Sequence, residues 1–294
     1  MMSSDISNAE FERRLRVEKF VRVLNAVLMY TFLTLIALIV LYPVVYLISA
    51  AFTPGSSIAN MSIVPFGKGF TFNHFTKLFT KTNYLLWFKN TLVIAVGVSV
   101  STIFVCTIAA YVFSRFRFPF KKGMMLSFLI LQIFPSFLGM IAIYVILLRM
   151  GGLNTHWGMI LIYTAGNVPY NTWLVKSYVD SIPRTLDEAA RIDGASNART
   201  FFQIVLPLAK PMITFLAISS FTGPWMEYIF AKIVLRSAEK QTLAIGLLTF
   251  VTDKKNEFTT FCAGALLIAI PFVFFFVITQ NMLVTSLSSG ALKE

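Results

Sequence analysis

Two sets of residues in this chain have types and spacings that could do chemistry. The first lies in a polar stretch between two apolar runs, Ser181–Ile182–Pro183–Arg184–Thr185–Leu186–Asp187–Glu188–Ala189–Ala190–Arg191–Ile192–Asp193–Gly194–Ala195–Ser196. Thr185 followed three residues later by Glu188 fits a capping box, and Gly194 fits a helix stop, so the spacing predicts a helix of about two turns near 185–194. Asp187 and Glu188 stand four and three residues before Arg191, within reach on one helical surface, while Leu186, Ala189 and Ala190 offer a small-residue face. That chemistry is recognition by another chain. A plain solvated connector carries the same caps and ion pairs, so these residues alone leave both readings open.

The second set sits inside apolar runs: Gln132, Asn167, Asn171, Trp173, Trp225 and Glu227, with Tyr170 and Tyr228 beside them. Amides, a carboxylate and aromatic faces hydrogen-bond and stack on polyhydroxylated solutes, and the same groups also tie helices together or sit at membrane interfaces. Glu227 stands apart, because an ionisable group within a span is costly unless it serves a site. Catalytic sets are missing from the pattern. No G-x-x-x-x-G-K-[ST] phosphate loop occurs, and Gly67–Lys68–Gly69 is only a turn-like stretch. His74 and His156 fall in expected outer loops without neighbouring metal ligands, so no metal site is expected. Cys106 and Cys262 lie in apolar runs and read as free buried thiols.

The elements that hold these residues follow from composition. Of 294 residues 57% are hydrophobic and 13% charged, whereas a soluble domain has roughly a quarter charged. The apolar residues form continuous runs, not the alternation of a barrel, so an all-α membrane bundle is expected. Apolar windows fall near 24–52, 91–114, 124–148, 158–180, 211–235 and 260–287, six transmembrane helices in all, with 158–180 the most interrupted. They divide the chain into an N-terminal segment 1–23, a transmembrane domain 24–287 and a tail 288–294 in which Gly290 allows a turn. The formal net charge of +12 is spread between the runs rather than over one face, which argues against nucleic acid. Its short, dense clusters are Arg13 to Arg22, Arg115 to Lys122 and Lys176 to Lys210, and the positive-inside rule places them, and both termini, in the cytoplasm. Pro43, Pro135, Pro169, Pro224 and Pro271 lie within the runs and suggest bent helices around a path.

The pattern Glu188–Ala189–Ala190, three residues, Gly194, nine residues, Ile204, one residue, Leu206–Pro207 resembles the EAA signature of the permease subunits of bacterial ABC importers. The layout and the end Leu287–Ser288–Ser289–Gly290–Ala291–Leu292–Lys293–Glu294 are similar to the carbohydrate (MalG-type) branch. The resemblance implies the type I importer permease fold in a bacterial inner membrane. It also implies a second, MalF-type permease, two cytoplasmic ATPase subunits that bind ATP and Mg, and an extracytoplasmic sugar-binding protein, with no cofactor in this chain. By the same likeness Glu188, Ala189, Ala190, Arg191, Asp193, Gly194, Ile204, Leu206 and Pro207 serve ATPase coupling, the tail reaches between the ATPases, and the substrate is a malto-oligosaccharide or similar sugar. Alternatives are an importer of another small solute, an ion-coupled secondary transporter, which needs more in-span carboxylates than Glu227 alone, and a membrane enzyme, for which no catalytic set exists.

Overall fold

The computed structural model describes the backbone of residues 2–62, 64–133, 136–252 and 255–291, with side chains except at 2–17, 60, 136–137, 255, 279 and 281–291. Helices hold nearly all of its regular structure. The first, α1 (Met2–Phe52), joins the polar N-terminal segment to the first apolar run without a break and contains Pro43. Its apolar side chains from Phe20 to Val45 are exposed on every side. A helix that is apolar all round and uncovered by its own chain is built to face lipid or another membrane protein.

Next come α2 (Asn73–Lys81) and α3 (Tyr84–Arg115). His74, expected in a loop, is buried on α2, with Nε2 2.9 Å from the Thr53 carbonyl oxygen. Along α3 the buried residues Trp87, Thr91, Ile94, Val98, Thr102, Cys106, Ala110 and Phe113 recur every three or four positions, the stripe of a helix with one packed face. That stripe meets α6 (His156–Ser181) and α9 (Lys210–Met226). A Cβ at Gly97 would lie 2.5 Å from the Ile160 side chain of α6, so the glycine is what lets the two helices approach. Three core clusters are strung along α3, one around Trp87 and Trp225, one around Ile94 and Val98, and one around Cys106 and Ala110.

The third apolar run is not one helix. It divides into α4 (Lys121–Ile133), a 3-10 turn at Ser136–Gly139 and α5 (Met140–Arg149), with Pro135 outside the described residues. After α6 come α7 (Thr185–Ile192) and α8 (Asn197–Leu208), which meets α9 at a bend of 78°. The fifth run stops at Glu227, where the backbone turns extended before α10 (Ile229–Val234). The chain closes with α11 (Leu243–Leu248), a two-residue antiparallel ladder pairing Val251 with Asn256, and α12 (Phe258–Ala291). Instead of turning at Gly290, α12 runs helical through it, and residues 292–294 lie outside the described residues.

Among the described residues, Glu18–Phe52, Tyr84–Arg115 and Phe258–Ile278 are each long and apolar enough to cross a membrane, and α8 with α9 makes a fourth candidate if counted as one bent span. The other two expected spans fall short for physical reasons. Asn167, Asn171, Thr172 and Lys176 make α6 too polar by composition, and α4 with α5 is divided by the 3-10 turn.

Candidate functional site

The α7 loop is built by its neighbours more than by its own caps. Pro183 disfavours helical backbone at the residue before it, and Ile182 is accordingly extended at φ −77° and ψ 125°. The reversal therefore falls at Arg184, whose carbonyl accepts from the N–H groups of Asp187 (3.0 Å) and Glu188 (3.1 Å). Thr185 is already helical, no side chain caps this end, and the capping box does not form. At the other end the Ala195 N–H donates to the Ala190 carbonyl (2.9 Å) and the Gly194 N–H to that of Arg191 (3.0 Å), with Gly194 at φ +75°. This is the Schellman closure, in which a left-handed residue ends the helix and glycine alone pays no steric cost.

The expected surface pairing of Asp187 with Arg191 does not occur. Asp187 turns inward, its Oδ2 2.7 Å from Nε of Arg115 at the end of α3, with side chains 10% and 4% exposed. Arg191 instead donates to Asn197 Oδ1 at 3.4 Å. The small-residue face is divided as well. Ala190 packs inward beside Asp187, while Leu186, Glu188, Ala189, Asp193 and Gly194 face outward. Ile192 is 87% exposed and Leu186 40%.

Ile204, Leu206 and Pro207 stand apart from that face, on the second half of α8. Pro207 has no N–H, and its ring crowds the carbonyl four residues back. The helix widens just before it into a π turn at Phe201–Val205, and the Leu206 N–H reaches the Phe201 carbonyl. This turn directs Phe201 and Val205 into the core around Cys106, with Ile204 and Leu206 half-buried and Pro207 exposed. Partial burial, and then the charge of Lys176, draw the Lys121 ammonium below the usual lysine range.

The in-span residues separate into two groups. Asn167 and Glu227 line a cavity of about 430 Å³ between α3, α5, α6 and α9, together with Val98, Met140, Tyr163 and Ser219. Glu227 is well supplied with partners: the Tyr163 hydroxyl donates to Oε2 at 2.5 Å, and the N–H groups of Phe230 and Ala231 donate at 2.7 and 2.9 Å. Its carboxylate thus caps α10 where the fifth run breaks, a placement favoured by the free N–H groups and positive end of a helix. The remaining candidates do not line this cavity. Trp225 is 1% exposed and packed among Phe88, Phe221 and Phe272. Its size and aromatic neighbours make it core. Asn171 is buried, Trp173 is 42% exposed, and Gln132 is exposed on the last turn of α4.

Sequence reasoning missed Arg115, Ile192 and Tyr163. Arg115 was visible only as one of a basic cluster, and Ile192 as an apolar residue three positions after Ala189.

Long apolar helices, a cavity among broken ones and a short exposed helix on a loop are the features of a membrane permease. The family model described as "Binding-protein-dependent transport system inner membrane component" matches residues 102–288, and the chain belongs to that family. It is 41% identical over 283 residues to the galactooligosaccharides transport system permease protein GanQ of Bacillus subtilis, covering 95% of this chain and 98% of that one. It is also 41% identical to the maltodextrin transport system permease protein MdxG of Bacillus subtilis, covering 92% and 98%. In fold it resembles a chain of a bacterial ABC transporter involved in the import of the acidic polysaccharide alginate, with a TM-score of 0.74, 22% identity and coverage of 90% and 97%. A chain of a bacterial alginate ABC transporter in complex with an alginate pentasaccharide-bound periplasmic protein is similar at a TM-score of 0.65 and 18% identity, covering 87% and 93%.

Proposed function

We propose that this chain forms half of the translocation path of an ATP-driven importer for a sugar, a malto-oligosaccharide or a similar oligosaccharide. It pairs with a second, MalF-type permease, receives sugar from an extracytoplasmic binding protein, and is driven by two cytoplasmic ATPase subunits that bind ATP and Mg. The names of its relatives support the sugar class, since GanQ and MdxG are named for galactooligosaccharides and maltodextrin. In this reading six spans cross the membrane with both termini in the cytoplasm, α4 with α5 and α9 with α10 each serving as one broken span. Interrupted spans are tolerated where they are buried in protein or line a water-filled cavity.

One observation carries the ATPase reading: Ile192 and Leu186 are exposed on a helix whose buried Asp187 is held by Arg115. Seated in a cleft of the ATPase, that face converts closure of the ATPase dimer into movement of the spans. Asn167 and Glu227 supply this subunit's polar wall of the path, Asn167 with an amide and Glu227 through the remaining acceptor capacity of its carboxylate.

The complete complex in lipid vesicles, offered malto-oligosaccharides and galacto-oligosaccharides in turn, is expected to take up one class only when ATP and loaded binding protein are present. Uptake that persists without ATP under a proton or sodium gradient overturns the reading. Single cysteines at Ser57 and Ser196, in a chain lacking Cys106 and Cys262, are expected to react with an impermeant thiol reagent from opposite sides. Labelling of both from outside overturns the orientation.

A further inference from the structure

The last turn of α3 is fastened to the α7 loop at several points. Arg115 Nε meets Asp187 Oδ2 at 2.7 Å while its Nη2 donates to the Ile182 carbonyl at 3.0 Å. Arg184 Nη2 donates to the Ser114 carbonyl at 3.0 Å, and the Ser114 hydroxyl donates to Asp180 Oδ1 at 2.6 Å. One turn back, the Tyr111 hydroxyl donates to the Asn197 carbonyl at 3.2 Å. Asp187 and Arg115 are buried, and neither oxygen of Asp187 accepts an aligned hydrogen bond among the described residues, so the Arg115 charge alone answers its carboxylate.

A buried ion pair adds little net stability compared with apolar side chains of the same volume, and its attested use is to fix one arrangement among several. Here the arrangement fixed is the tilt of α7 against α3. Arginine suits the position because its planar fork reaches Asp187 and the Ile182 carbonyl together, which a lysine ammonium does not. The element on the far side of the pair is suited to carry displacement. α3 spans 32 residues with no proline inside, whereas α1, α6, α9 and α12 contain Pro43, Pro169, Pro224 and Pro271. Val98, midway along α3, lines the cavity that holds Glu227 and Asn167.

We propose that Arg115 and Asp187 form a clasp that makes α7 and α3 move as one body, so that displacement of α7 reaches the cavity chiefly through α3. This rests on the reading of α7 as the ATPase-docking helix. Arg115 and Asp187 are positioning residues, since both face inward while the docking face is carried by Leu186, Ala189 and Ile192.

The test uses the complete complex in vesicles, with sugar uptake and ATP hydrolysis measured together. Arg115→Gln combined with Asp187→Asn leaves no charge unpaired. It is expected to bind the ATPase within about twofold of the parent and to lower sugar moved per ATP hydrolysed about tenfold. Arg115→Asp combined with Asp187→Arg is expected to recover most of that ratio. An unchanged ratio in the neutral pair overturns the clasp, and so does loss of ATPase binding in step with uptake, which would make the pair part of the docking surface. Ile192→Asp separates the two readings: normal ATPase binding and uptake in that variant defeats the docking helix itself, whatever the clasp variants do.

Discussion

The α7 loop and the cavity at Glu227 both hold a carboxylate within the fold, and they treat it in opposite ways. Glu227 accepts from two backbone N–H groups and a tyrosine hydroxyl, so its charge is spread over partners the chain supplies within and beside α10. Asp187 relies on one guanidinium from a distant helix. The surroundings differ as well, because the cavity is largely apolar with its carboxylate satisfied, whereas α7 leaves Ile192 and Leu186 exposed. The cavity carboxylate finds its partners within this chain, whereas the loop keeps an exposed aliphatic face.

The largest effect that would break this comparison is at Arg115. Arg115→Met leaves Asp187 buried with no cation, and removing one partner of a buried pair costs about 3–5 kcal/mol. A marked fall in the thermal unfolding temperature of the detergent-solubilised complex is expected, and an unchanged temperature would mean that Asp187 finds water. Next comes Ile192→Asp. Burying an exposed isoleucine is worth about 2–3 kcal/mol, so ATPase binding measured by titration is expected to weaken about thirtyfold or more, with the unfolding temperature unaltered. Gly194→Val places a β-branched residue at φ +75°, a strain of about 2 kcal/mol. Open space surrounds that position, so the cost is backbone strain, and Gly194→Ala is expected to be milder in the same unfolding assay. The smallest effect is expected at the cavity. Tyr163→Phe removes one of three donors to Glu227, about 1.5 kcal/mol, the low end for a bond to a charged group because two donors remain. A far larger loss would show that Glu227 is no better supplied than Asp187.

Much of this was legible in the sequence, and what was not has physical causes. Apolar runs mark α1, α3 and α12 because length and composition alone decide them, and Gly194 marks the end of α7 because few residues tolerate its conformation. Asp187 misleads because Arg191 is close in sequence while Arg115 is close in space, brought there by the packing of α3 on α6. Trp225 misleads in another way, since an indole suits a sugar face and an aromatic core equally, and Phe88, Phe221 and Phe272 decide it. The break at Glu227 left no pattern in hydropathy, because α9 and α10 are both apolar and only the carboxylate between them interrupts the run.

The 78° bend between α8 and α9 gives α8 the shape of a crank. Its twelve residues, Asn197 to Leu208, give an arm of about 18 Å at 1.5 Å per residue. With Ala209 as pivot, about 3 Å of travel at the Asn197 end amounts to about 10° of rotation over an arm of that length. Transmission chiefly through α3 requires the elbow to yield: a soft elbow absorbs that rotation, whereas a rigid one would deliver it to α9 and to the cavity wall near Ser219 and Glu227. Lengthening α8 by a turn would lower the rotation obtained from the same travel, and so retune the stroke without touching either end of it.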